Sequence, residues 1–179
     1  MKIAVYGPLY NERSKSTIQT LIEYLKKRDA KVVFEKNFQA SIVTNSDIDI
    51  NAYFSDTFEE LDASFELLIS IGGDGTILRA ITFVKDLKIP IVGINTGRLG
   101  FLATIQKENI LSAIELLLKK EYVLKERSLL SVSTSPEVES LNSLNFALNE
   151  VSVNRKNTAS MITIKTFLDD EFLNSYWAD

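Results

Sequence analysis

The side chains in this sequence with the most chemical potential are carboxylates, carboxamides and residues flanking glycine turns. The chain has no histidine and no cysteine. Any proton transfer therefore falls to another side chain, most simply a carboxylate. Thiolate nucleophiles, disulfides and Cys-ligated metals are excluded. A metal, if used, is a hard ion held by oxygens, such as magnesium.

Three segments concentrate these residue types. The first is Gly72-Gly73-Asp74-Gly75-Thr76, between the apolar run Phe65–Ile71 and a helical pattern. Glycines let a backbone approach a ligand closely and reach positive φ. The N–H groups at the start of the following helix favour phosphate, and Asp74 adds one carboxylate suited to taking a proton from a sugar hydroxyl. The plain alternative is a glycine turn with Asp74 or Thr76 as a helix cap. The second segment runs from Gly93 to Leu102 and contains Asn95-Thr96-Gly97-Arg98-Leu99-Gly100-Phe101. Gly97 and Gly100 permit a tight path, and Phe101 is placed either against a purine or in the core. The third is Ala147–Val153, where Asn149 and Glu150 interrupt an apolar strand pattern. Neighbours in a strand face opposite sides, so one of the two is expected to point toward the core side and to need a partner. The alternative is an edge strand with both residues wet.

The surrounding pattern supplies the elements that position these segments. Ile3–Tyr6 reads as a strand ending at Gly7-Pro8. Ile18, Leu21, Ile22 and Leu25 recur at helical spacing, with Ser14 or Ser16 as cap and Lys26, Lys27 and Arg28 in the last turn. Val32–Phe34 is a second strand, and 35–63 reads as one short helix or loop. After the Gly72 turn, Ile77, Leu78, Ile81 and Val84 form a helical face. Ile89–Ile94 is another buried strand, and Ile110, Ile114, Leu117 and Leu118 mark a further helix. Fully apolar strands alternating with helices imply a parallel sheet covered on both faces. From about residue 127 the pattern changes to strands without helices: 129–134, 146–153, 160–168 and 171–178, with a hairpin turn at Asp169-Asp170. The expected fold is α/β: a Rossmann-like nucleotide-binding domain over 1–126, then the first strands of an all-β domain over 127–179. Because four strands are a thin basis for a sheet, the chain is expected to be part of a longer protein. Its open strand edges are expected to support a homo-oligomer, a dimer or tetramer.

Bulk properties narrow the function classes. Hydrophobic residues make up 45% of the 179 and charged residues 25%, so a packed core is expected. The net charge of −4, with signs interspersed, gives no surface for nucleic acid or anionic lipid. No apolar run is long enough to span a bilayer, and the expectation is a cytoplasmic protein.

Taken in order, the three segments resemble the NAD kinase family, which carries a Gly-Gly-Asp-Gly loop, an Asn-x-Gly-x-Leu-Gly-Phe segment and an Asn-Glu pair. The stretch Lys125–Leu130 is similar to the family's domain crossover. The resemblance implies phosphorylation of the adenosine ribose of NAD, with ATP or polyphosphate as donor and a divalent metal, magnesium, as cofactor. It implies that Asp74 activates the 2′-hydroxyl, that Gly73, Gly75 and their turn lie along phosphates, and that Leu78 and Phe101 flank the adenine. Arg79 would meet phosphate, and Asn95 opens the second binding segment. Asn149 and Glu150 would hold ribose hydroxyls or the adenine edge, Ser160 and Trp177 would contribute to the pocket, and Asp179 would face the nicotinamide. The family continues with a Thr-Gly-Ser-Thr-Ala-Tyr stretch beyond residue 179, so these residues alone are expected to phosphorylate NAD poorly. Phosphofructokinases and lipid kinases also use Gly-Gly-Asp-Gly loops and are the rival kinases. A non-catalytic dinucleotide-binding module would keep the glycines without needing the carboxylate, and a purely structural domain would need neither.

Overall fold

The computed structural model describes residues 1–28, 30–97, 100–141, 144–156 and 160–178. They divide into two compact units, Met1–Glu126 and Arg127–Asp179.

The first unit is built on six parallel strands: β1 (Lys2–Tyr6), β2 (Lys31–Glu35), β3 (Thr57–Phe58), β4 (Leu67–Gly72), β5 (Ile91–Asn95) and β6 (Ile105–Gln106). Their spatial order is β3-β2-β1-β4-β5-β6. Among the described residues, four α-helices accompany them: α1 (Glu12–Leu25), α2 (Lys36–Asn45), α3 (Asp74–Val84) and α4 (Ile110–Leu118). The apolar strands alternate between two cores, as a sheet covered on both faces requires. Ile3 and Val5, Val32 and Phe34, and Leu67, Ile69 and Ile71 pack with α1, α2 and α4. Ala4 and Tyr6, Val33, and Leu68 pack with Ala80 and Val84 of α3. Phe34, fully buried, lies 5.5 Å from the Phe54 ring and 6.3 Å from that of Phe38.

Two details of α1 differ from the sequence reading. Its cap is Asn11, whose side chain accepts the N–H groups of Arg13 and Ser14 at 3.0 and 3.1 Å. Ser14 sits inside the helix and accepts the Asn11 N–H at 3.0 Å, closing a reciprocal capping box. A cap residue must be extended, and Asn11 is, at φ −152° and ψ 170°. The helix ends at Leu25, so Lys26, Lys27 and Arg28 follow the last turn instead of forming it. The irregular stretch holds α2 and the two-residue strand β3. Buried Glu35 caps α2 by accepting from Asn37 and Phe38 N–H at 3.0 and 2.8 Å.

In the second unit, β7 (Leu130–Ser131) pairs with β8 (Phe146–Ala147), and β9 (Ile162–Leu168) with β10 (Glu171–Ala178), both antiparallel. Asp169 and Asp170 take left-handed φ values of 50° and 67°, the turn chemistry that a tight hairpin requires. Ile162 and Ile164 are half-buried between exposed Thr163 and Lys165, as the alternation predicts. The expected strands 129–134 and 146–153 are each realised over only two residues. No helix among the described residues is long and apolar enough to cross a membrane.

The core assignment makes Phe34→Ala costly, by about 3–5 kcal/mol in urea unfolding. A loss below about 1 kcal/mol would contradict the packing described.

Candidate active site

Strand order locates the site before any side chain does. The chain leaves β1 toward β2 and β3, then returns to place β4 on the other side of β1. The loops after β1 and β4 diverge at that switch point, where open α/β sheets bind ligands beyond the carboxyl ends of their strands. Gly72 ends β4 and Asn95 ends β5, and the two are register partners. The first two sequence segments therefore emerge side by side.

The first loop is open and tightly turned. Gly72 has φ +155°, and a Cβ there would overlap the Thr76 side chain. The N-cap of α3 is Gly73, which offers no side chain, and Asp74 is the first helical residue. Neither Asp74 nor Thr76 is the cap. A Cβ added at Gly73 or Gly75 would meet nothing within 4 Å, so the start of α3 is open to a ligand.

The half-buried Asp74 carboxylate reaches across to the second loop. Its Oδ2 accepts the Phe101 N–H at 2.8 Å, and its Oδ1 accepts those of Leu102 and Ala103 at 2.9 and 3.0 Å. These amides, Ala103 foremost, then Phe101 and Leu102, hold the carboxyl below its ordinary range. The second loop is 96–104, the connection between parallel strands β5 and β6, and it has no helix among its described residues. Asn95, 4% exposed, braces it from within. Its Oδ1 accepts the Gly97 N–H at 2.7 Å and its Nδ2 donates to the Ala103 carbonyl at 3.4 Å. The Phe101 ring is 93% exposed, so it lies outside the core.

Leu78 and Arg79 sit one turn into α3 and are exposed. The Arg79 guanidinium lies close enough to Tyr6, the last residue of β1, to act on its hydroxyl. Burial pushes the Tyr6 phenol up, and Arg79 partly offsets that. The sequence reading missed Tyr6. Its only signal is being the polar-tipped end of an apolar strand before Gly7-Pro8. It also missed the three amides, which carry no side-chain signal at all.

In the second unit the expectation for Asn149 and Glu150 is corrected. β8 ends at Ala147, Asn149 lies in a bend, and both residues are exposed. With a ladder of two residues there is no extended strand to send one of them inward. Ser160 is exposed and Trp177, on β10, is 76% exposed. Arg98, Leu99 and Asp179 lie outside the described residues.

A sheet of this order, with an open glycine turn at its switch point, is the architecture of doubly wound nucleotide-binding domains. The family profile described as ATP-NAD kinase N-terminal domain matches residues 6–122. Proteins named NAD kinase from Flavobacterium psychrophilum and Christiangramia forsetii are each 50% identical to this chain over its whole length. One from Bacteroides fragilis is 36% identical, again over the whole chain. The chain belongs to the NAD kinase family. It spans 61% of the length of the first two of these relatives. Among solved structures, its fold is similar to yeast NADH kinase complexed with NADH, with a TM-score of 0.76, 18% identity, and coverage of 100% of this chain and 55% of that one. It is also similar to an NAD kinase from Archaeoglobus fulgidus in complex with ATP, with a TM-score of 0.66, 23% identity, and coverage of 99% and 57%.

A carboxyl whose pKa falls on folding stabilises the fold above its unfolded value, about 3.9 for aspartate. That contribution disappears as pH falls through the lower folded value. Carbon-detected titration of Asp74 should give a midpoint below about 3.9. The stability gap between wild type and Asp74→Asn should be full at neutral pH and close as pH drops below about 4. A midpoint at or above the free-aspartate value would remove the three-amide arrangement.

Proposed function

We propose that the complete protein is an NAD kinase, transferring a phosphoryl group from ATP to the 2′-hydroxyl of the adenosine ribose of NAD to give NADP. The observation that carries this reading is the Asp74 carboxylate, held at the mouth of an open glycine turn in a chain of this family. A carboxylate has about four acceptor positions. Two on Oδ1 and one on Oδ2 are taken by amides, which leaves one on Oδ2 for a sugar hydroxyl. The same amides keep Asp74 ionised at neutral pH but make it a weak base. That suits a loose phosphoryl-transfer transition state, in which little proton removal is needed before the phosphorus–oxygen bond to the leaving group has lengthened. Asp74 orients the hydroxyl first and receives its proton late. The open N–H groups at the start of α3, around Gly73 and Gly75, and the exposed guanidinium of Arg79 receive phosphate oxygens. Leu78 and Phe101 offer apolar surface to the adenine, and Asn95 acts by bracing the loop that carries Phe101.

By resemblance, Asn149, Glu150, Ser160, Trp177 and Asp179 are further nucleotide-binding residues. Among the described residues no three carboxylates gather into a metal cage. Magnesium accordingly enters the proposal on the donor's phosphates, as part of the substrate. The ATP and NADH in the two solved relatives support ATP as donor and NAD or NADH as acceptor. The reading places the protein in the cytoplasm as a homo-oligomer, a dimer or tetramer.

The test is a coupled NADP-formation assay on the complete gene product, with NAD, fructose 6-phosphate and diacylglycerol compared as acceptors and ATP and polyphosphate as donors. NAD should be the acceptor used, and Asp74→Asn should cut turnover by about 10²-fold or more. Turnover with another acceptor and none with NAD would overturn the reading; near-normal turnover in the variant would remove Asp74 from its role.

A further inference from the structure

The connection between β5 and β6 joins two parallel strands, a task usually given to a helix that satisfies its own backbone. Here 96–104 has no helix among its described residues, so its amides need other acceptors. Three in succession, from Phe101 to Ala103, find the Asp74 carboxylate, which comes from 27–29 residues upstream. The approach is close enough that a Cβ at Gly100 would collide with both carboxylate oxygens. On the inner side the same turn is anchored by buried Ala103 and by Asn95. On the outer side it ends in the Phe101 ring, which is exposed although its own N–H is fixed.

We propose that Gly100 is a positioning residue: its bare Cα lets the Asp74 carboxylate close on the turn, and the closed turn sets the Phe101 ring for the nucleotide base. Only this last step rests on the NAD kinase reading. The lock between Asp74 and residues 101–103 stands apart from it. Alanine at Gly100 leaves the carboxylate in place chemically but denies it the approach. Asparagine at Asp74 keeps the shape but sets an NH₂ against one of the N–H groups, so that variant disturbs the turn as well as the base.

The experiment is hydrogen exchange resolved at the amides of Phe101, Leu102 and Ala103 in the complete gene product, for wild type, Gly100→Ala and Asp74→Asn, with the β1 amides as a folding reference. The three amides should be protected in wild type and exchange at least about tenfold faster in both variants, the loss expected for bonds to a charged acceptor. The β1 amides should be unchanged. In steady state, Gly100→Ala should raise KM for NAD about tenfold, the scale of one lost contact, with a smaller change in kcat because Asp74 is still present. Unchanged exchange at 101–103 in the variants, or faster exchange with an unchanged KM, would overturn the proposal. If Gly100→Ala loses protection in β1, Asp74→Asn decides the exchange measurement. If wild type makes no NADP, the proposed function fails while the exchange data still decide the lock.

Discussion

One carboxylate accepting three consecutive backbone N–H groups is the interaction on which the carboxyl edge of the first unit's sheet depends. A peptide segment that crosses between parallel strands without a helix must place its polar groups somewhere. Asp74 solves that problem for residues 101–103 from the first turn of α3. The same contacts fix the charge state of the carboxylate and the path of the loop, so neither segment is intelligible alone. The glycine turn supplies the space, the second segment supplies the donors, and the adjacency of β4 and β5 brings them together.

The sheet beneath is conventional in order and supplies rigidity where it is needed. Alternation of apolar residues between two cores leaves β1 and β4 buried on both sides, so the ends of these strands are fixed points. Edge strands β3 and β6, two residues each, take no part in that core beyond a few side chains. The second unit follows different rules. The register of its β9–β10 hairpin shifts between Phe172 and Asn174, and exposed aromatics such as Phe167 and Phe172 pack on each other, with ring centroids 5.6 Å apart.

What could be read from the sequence follows from these differences. Strands of continuous Ile, Leu and Val between glycine turns declare themselves, as do helices with a clear apolar stripe, and so the order of β1 to α4 was legible. The two-residue strands were not, because pairing over so short a span leaves no periodicity. Asn149 and Glu150 misled because the apolar letters around them suggest a strand that ends, in the fold, at Ala147. The cap of α1 was misplaced because Asn11, Ser14 and Ser16 are all good capping types and only backbone geometry separates them. The glycine turn between β4 and α3, with Asp74 at the start of the helix, was legible. The grip of that carboxylate on the neighbouring loop was not, since backbone N–H groups are the same in every sequence.

The cation at position 79 acts on a buried phenol: burial raises the Tyr6 pKa, and the nearby guanidinium partly offsets that. A guanidinium carries five N–H donors in a rigid planar fork. An ammonium is a compact charge on a flexible stem with no such fork. Lysine would keep the charge at this point of the helix but not the planar set of donors, so the two basic residues are not equivalents here.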